Sequence, residues 1–225
     1  MELNIDIGEG SGSESLARDL VLLRSADRVN VACGFHAGDE ETMRALWIAA
    51  GAGGVVAGAH VSYPDRRGFG RVETGDAVTV IVGDVGEQLR AFAAASGGAV
   101  PHVKPHGALY HRLAADAEAA AAVAELIARD HGGAAVVTLP GSALAHAAAA
   151  AGLPVLREAF ADRAYGPDGG LVPRDRPGAV LDPDAAAAQA LALASGGEFD
   201  TICVHGDGAR AIETAEAVRR ALDRR

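Results

Sequence analysis

A repeating unit runs along the chain: an alanine-rich stretch, a glycine pair, a short apolar run, then a cluster of polar residues. The pairs are Gly53-Gly54, Gly97-Gly98, Gly132-Gly133 and Gly196-Gly197. Glycine readily takes the left-handed conformation that ends helices. The apolar runs behind the pairs, 55–59, 99–103, 134–139 and 200–204, are short and continuous, as in parallel strands covered on both faces. Residues 2–6, 29–33 and 154–156 add further candidates, for about seven strands separated by helical patterns. That alternation predicts βαβ units.

The helical patterns cover 14–23, 40–52, 78–96, 108–130, 143–151, 184–195 and 209–224. Alanine, the best helix former, dominates them. Asp39 stands where an N-cap belongs. No linker interrupts the chain, so residues 1–225 read as one domain, a length that α/β barrels often reach. Two connections, 61–76 and 160–180, are long enough to be lids or binding loops.

The polar residues fall behind the predicted strands. Asp6 and Glu9 end the first, His36 follows the second and His60 ends the third. His102, Lys104 and His106 mark the fourth, Glu158 and Asp162 follow the sixth, and His205 and Asp207 end the seventh. Five of the eight histidines are in this set. In parallel α/β folds the carboxyl ends of strands carry the site, so these residues converge on one site. Lys104 is the only lysine in the sequence. Burial and neighbouring histidines would lower its pKa. Gly8 lets the chain turn so that Asp6 and Glu9 enter one pocket, where close carboxylates split their pKa values into an acid/base pair.

Composition narrows the function. A net charge of −10 argues against nucleic acid. No apolar run reaches membrane-spanning length and no secretory signal opens the chain. The two cysteines, Cys33 and Cys203, suit a reducing cytoplasm and read as small buried strand residues. Asp6, His36, His60 and His205 are candidate ligands for a divalent metal, although their dispersed spacing matches no compact motif. The loop Gly8-Glu9-Gly10-Ser11-Gly12-Ser13 lacks the final glycine of a dinucleotide fingerprint, and no Walker A motif exists. Arg66, Arg67, Arg71, Arg163 and Arg174 sit in the two long loops; arginine forks suit carboxylates and phosphates.

Ordered motifs then carry a resemblance. They are Leu3-Asn4-Ile5-Asp6-Ile7-Gly8-Glu9, Asn30 to Asp39, Gly58-Ala59-His60, Tyr63-Pro64-Asp65 and Gly68-Phe69-Gly70-Arg71. His102 to Tyr110, Glu158 to Arg163, Asp168-Gly169, Leu171 to Arg174 and Cys203 to Asp207 complete the set. Together they resemble the LamB/YcsF family from end to end. Departures at Ser11, Arg28-Val29, Val61-Ser62, Val72, Val85-Gly86 and His111 spare most strand-end polar residues.

The resemblance implies a (β/α) barrel, seven-stranded, of the glycoside hydrolase/deacetylase type. It implies the family's characterised activity, that of the A component of an ATP-dependent 5-oxoprolinase: with B and C subunits it opens the lactam ring of 5-oxo-L-proline to L-glutamate. ATP is then a co-substrate of the complex. In that chemistry Asp6 or Glu9 is the general base, and Lys104 with His106 or His205 stabilises charge on oxygen. Arg163 or Arg174 holds the substrate carboxylate, with His36, His60, Glu158, Asp162 and Asp207 also lining the substrate. Two alternatives are a metal-dependent deacetylase or amidohydrolase working without ATP, and a carrier or regulatory component without chemistry.

Overall fold

The computed structural model describes residues 1–167 and 169–224; Asp168, one of the motif residues, lies outside the described residues. Among them seven parallel strands close into a barrel in chain order: β1 (Glu2–Ile7), β2 (Arg28–Ala32), β3 (Val56–Val61), β4 (His102–Pro105), β5 (Ala135–Thr138), β6 (Val155–Phe160) and β7 (Thr201–His205). β7 returns to β1 with Asn4 opposite Cys203 and Asp6 opposite His205. Closure removes the sheet edges that would otherwise invite aggregation. It also brings the first and last polar clusters of the sequence side by side.

Helices cover the outside: α1 (Gly12–Leu22), α2 (Glu40–Gly53), α3 (Val78–Ser96), α4 (Gly107–Ala115), α5 (Ala117–His131), α6 (Ala143–Ala150), α7 (Pro183–Ser195) and α8 (Ala211–Asp223). No helix among the described residues is long and apolar enough to cross a membrane. The Asp39 carboxylate caps α2 by accepting the Thr42 N–H. The pattern over 108–130 predicts one helix, but the structure has two. Asp116 interrupts it: its carboxylate accepts the N–H groups of Glu118 and Ala119 and so begins α5. A side chain that competes for backbone donors stops one helix and starts the next.

The core lies between the barrel and its helices. Leu3, Ile5, Ile7, Val29, Val31, Val103, Val136, Ile202 and Val204 are buried there. The residues alternating with them, Asn4, Asp6, Asn30, Lys104 and Cys203, bond to one another inside the barrel. The expectation of strands apolar on both faces is therefore corrected: the outer face is apolar and the inner face carries chemistry. Strand period two sends neighbouring side chains to opposite faces. Gly58 makes room inside the barrel, because a Cβ there would run into the His102 ring.

At the end of β1, Gly8 turns at φ 73° and its N–H donates to Asp19 Oδ2 at 2.9 Å. Burial pushes the Asp19 carboxyl from 3.8 up to about 6, against the Gly8 bond that lowers it. A folded-state pKa above the ordinary value gives stability that is full below pH 3.8 and lost as pH rises through about 6. Asp19→Asn keeps the acceptor for Gly8 and removes the buried charge. We expect it to stabilise the fold by about 1–3 kcal/mol at pH 8 and to have little effect at pH 4, in urea unfolding. Equal effects at both pH values would disprove the assignment.

Candidate active site

The inner face holds a hydrogen-bonded column. Arg28 Nη1 donates to His102 Nδ1 at 3.0 Å, which leaves His102 Nε2–H to donate to Asn30 Oδ1 at 2.8 Å. Burial, then the Arg28 charge, keeps His102 well below the ordinary histidine range, consistent with that neutral form. Asn30 Nδ2 in turn donates to Asn4 Oδ1 and Asp6 Oδ1, each at 2.7 Å.

Lys104 Nζ closes the column. It lies 2.9 Å from Asp6 Oδ1 and 2.7 Å from Glu158 Oε1, with Asn4 Oδ1 at 3.3 Å and Cys203 Sγ at 3.1 Å. Burial acts to lower its pKa, but Asp6, Cys203 and Glu158 together carry it well above the ordinary value. The expected lowering is overturned because the neighbours that matter are carboxylates. Its three protons face four acceptors, so no free donor remains for an oxygen in the cavity. Asp6 answers this cation. Burial would raise its carboxyl, yet Lys104, His60 and His205 hold it well below the usual range.

A second cluster sits beside Asp6. Glu9 Oε1 lies 3.2 Å from His36 Nε2, 3.6 Å from His60 Nε2 and 3.2 Å from His106 Nδ1. Burial opposes the Glu9 charge, but His106 and His36 hold its carboxyl well below the ordinary value. Burial lowers His106 and takes His36 down to about 4. Asp6 and Glu9 thus do not divide into a high and a low carboxyl; each has its own partners. Phe69 roofs the cluster at φ 57°, a left-handed backbone that strains a non-glycine residue. That turn aims its carbonyl at His106 Nε2, 2.9 Å away.

The third group lies across the mouth. His205 Nδ1 is 3.1 Å from both Asp162 carboxylate oxygens, and its backbone N–H donates to Asp162 Oδ2 at 3.0 Å. Burial would lower the His205 pKa; Asp162 outweighs it and raises it. Asp207 is gripped by Arg71 and by Arg174, each at 2.6 Å, so it ties the two long loops together. Burial opposes the Asp207 charge, and Arg174 lowers its pKa below the ordinary value. Arg163 points Nη2 at the Val172 carbonyl at 2.7 Å.

A cavity of about 470 Å³ opens between these groups, lined by Asp6, His60, Lys104, His106, Arg71, Arg163, Arg174 and His205 among others. Glu9 and Asp207 line the neighbouring cavity of about 320 Å³. His36, Glu158 and Asp162 stand behind the cavity-lining residues. His36 is stacked on His106 with ring centroids 3.9 Å apart, Glu158 holds Lys104 and Asp162 holds His205. Glu158 lies within β6 rather than beyond it.

The metal candidates also regroup. Asp6, His36, His60 and His205 do not gather as one set. The clusters of a kind that holds metal ions are Glu9–His36–His60–His106 and Asp6–Cys203–His205, each with ligand atoms within 4.8 Å of one another. Both cysteines are buried as expected, yet Cys203 touches the Lys104 ammonium. Cys203, Asn4 and Asn30 are not among the site residues that the sequence predicts; the alternation Leu3-Asn4-Ile5-Asp6-Ile7 and Ile202-Cys203-Val204-His205 is the signal that places them with Asp6 and His205. Tyr110, whose hydroxyl donates to Glu158 Oε2 at 3.1 Å, lies one helical turn beyond His106.

Barrel and mouth together define a seven-stranded parallel (β/α) barrel protein with its titratable groups gathered at the carboxyl ends of the strands. The model of the LamB/YcsF family matches residues 1–225, and the chain belongs to that family. It is 48% identical to the A component of 5-oxoprolinase from Streptomyces griseus, over 99% of this chain and 96% of that protein. It is 44% identical to the third 5-oxoprolinase A component of Pseudomonas syringae, over 99% and 93%. Among solved structures, the lactam utilization protein of Thermus thermophilus superposes with a TM-score of 0.88 at 38% identity, over 100% of this chain and 96% of that one. A family 4 carbohydrate esterase from Streptomyces lividans, at 14% identity and a TM-score of 0.52 over 99% and 88%, shares the fold alone. The expected deacetylase-type barrel is borne out.

Proposed function

We propose that this chain is the A component of an ATP-dependent 5-oxoprolinase in the cytoplasm, acting with B and C subunits to open 5-oxo-L-proline to L-glutamate. The observation that carries this reading is one cavity of about 470 Å³ that joins an ionised acid/base set to three arginines. A lactam bearing a carboxylate needs both halves. The similarity to 5-oxoprolinase A components supports the same choice.

In this reading the partners use ATP to activate the lactam oxygen by phosphorylation. Asp6 Oδ1 is occupied by Lys104 and Asn30, and Oδ2, which meets a long Cys203 Sγ contact at 3.9 Å and the His60 ring at 3.5 Å, accepts a proton from water as it attacks the ring carbon. His205, whose pKa Asp162 raises against burial, gives a proton to the ring nitrogen as the C–N bond breaks. The acyl phosphate left on the opened chain is hydrolysed by a second water to glutamate and inorganic phosphate. Lys104 positions Asp6 rather than touching the substrate. Arg163 and Arg174 take the substrate carboxylate. The Glu9 cluster is the feature that favours the second reading, a metal-dependent hydrolase independent of ATP.

The test is glutamate release from 5-oxoproline by the purified chain mixed with B and C subunits, with and without ATP. Release that requires both this chain and ATP is expected. No release, where an established A component restores it in the same mixture, would overturn the proposal; release by the lone chain without ATP would select the second reading. Within the active complex, Arg174→Leu is expected to raise KM for 5-oxoproline roughly 10–100-fold, the worth of a charge-assisted bond, with a smaller change in kcat. A fall in kcat at constant KM would remove Arg174 from substrate binding.

A further inference from the structure

Four atoms of the Glu9 cluster face one another without a hydrogen between them. His60 Nδ1 lies 3.0 Å from the Lys104 carbonyl. A carbonyl only accepts, so the ring hydrogen is on Nδ1 and Nε2 carries a lone pair. His106 Nε2 lies 2.9 Å from the Phe69 carbonyl, which by the same reasoning leaves the lone pair on Nδ1. Ser62 Oγ donates its one hydrogen to the Tyr63 carbonyl at 3.0 Å. His36 Nδ1 must then donate to Ser62 Oγ, 2.8 Å away, and His36 Nε2 also carries a lone pair. All three lone pairs face Glu9 Oε1, and His60 Nε2 is 3.0 Å from His106 Nδ1.

With all three rings neutral this arrangement is repulsive, and it is relieved by a cation: either a proton on a ring, which then donates to Glu9 and, against burial, holds its carboxyl low, or a metal ion. The spacing suits the metal ion. Metal–ligand bonds of about 2.0–2.2 Å give tetrahedral edges of about 3.3–3.6 Å; the three Glu9 contacts and the His60–His106 contact run from 3.0 to 3.6 Å, and all four ligand atoms lie within 4.8 Å of one another. A second observation points the same way: Glu9 Oε2 is buried without a hydrogen-bond partner, on a side chain only 4% exposed. The outer bonds fit too. Metal-ligating histidines donate their other ring N–H to a carbonyl or similar acceptor, and here two backbone carbonyls and one hydroxyl play that part. The competing Asp6–Cys203–His205 cluster already holds a cation, because Lys104 Nζ lies within bonding distance of both Asp6 and Cys203.

We propose that Glu9 Oε1, His36 Nε2, His60 Nε2 and His106 Nδ1 bind one divalent transition-metal ion of the zinc type. Three imidazoles and one carboxylate select zinc, cobalt, iron or nickel over magnesium and calcium, which take all-oxygen sites. Metal binding at this cluster does not depend on the ring-opening reading.

The experiment uses the full chain, stripped with chelator and titrated with Zn²⁺ by calorimetry and with Co²⁺ by visible absorption. One equivalent of each should bind, Zn²⁺ should raise the melting temperature, and the cobalt spectrum should lack a thiolate charge-transfer band. Glu9→Gln and His60→Gln should abolish stoichiometric binding, while Cys203→Ser should keep it. Ser62→Ala, which frees the His36 ring, should weaken binding by about 10–100-fold. This last variant leaves all four ligands in place and covers a ligand variant that fails to fold. No stoichiometric binding to the wild-type chain would overturn the proposal. So would a thiolate band lost in Cys203→Ser, or full affinity retained in a folded Glu9→Gln.

Discussion

Lys104→Met is expected to destabilise the fold by about 3–5 kcal/mol, the range for removing one partner of a buried ion pair. Two buried carboxylates, Asp6 and Glu158, would lose their shared cation at 2.9 and 2.7 Å. The same change should reach the chemistry indirectly. Lys104 is the strongest influence holding the Asp6 carboxyl low, so its loss should move the acid limb of the pH–rate profile to higher pH as Asp6 takes up its proton more readily. Lys104→Arg should not rescue, because a planar guanidinium cannot replace a compact ammonium among four converging acceptors. Adding Glu158→Gln to Lys104→Met removes one orphaned charge and should recover part of the stability, but not the acid limb. Unfolding of the two variants in denaturant, with the limb read in the reconstituted complex, separates these effects. If Lys104→Met melted like the wild type and kept its acid limb, Lys104 would not be the cation that organises the site.

The sequence makes this barrel legible in unequal parts. The glycine pairs and apolar runs locate all seven strands to within a few residues, because each run has to be buried against helices. The strand-end position of Asp6, His60, His106 and His205 correctly places them at one mouth. What periodicity does not disclose is the inner face. Runs such as Ile202-Cys203-Val204 look continuously apolar only if cysteine is counted as a hydrophobe, and Asn4 and Asn30 look incidental until closure sets β1 beside both β2 and β7. The chain neighbourhood of Lys104 misleads about its pKa for the same reason. Its near neighbours in sequence are histidines, whereas its neighbours in space are carboxylates from β1 and β6, about 50 to 100 residues away. The grouping of ligands around Glu9 is equally hidden, since it depends on Phe69 bringing a carbonyl to His106 from a loop without regular structure.

His205→Asn is expected to reduce kcat in the reconstituted complex by about 10²- to 10⁴-fold, the range for loss of a general acid or base, with little change in KM. The smaller change Asp162→Asn tests the role more sharply. It keeps the imidazole but removes the carboxylate that raises the His205 pKa. A general acid works in its protonated form, so activity falls as pH rises through its pKa. With Asp162 neutralised that pKa drops, and the basic limb of the kcat profile should move to lower pH. The loss at pH 8 should therefore exceed the loss at pH 6. A purely structural role for Asp162, through its bond to the His205 backbone N–H, would lower activity equally at both. Following the His205 ring by NMR in the lone chain gives an independent reading, because its titration must shift downward by the same amount as the limb. A limb that stays in place while the NMR titration moves would take His205 out of proton transfer and leave the ring nitrogen to be protonated by another group.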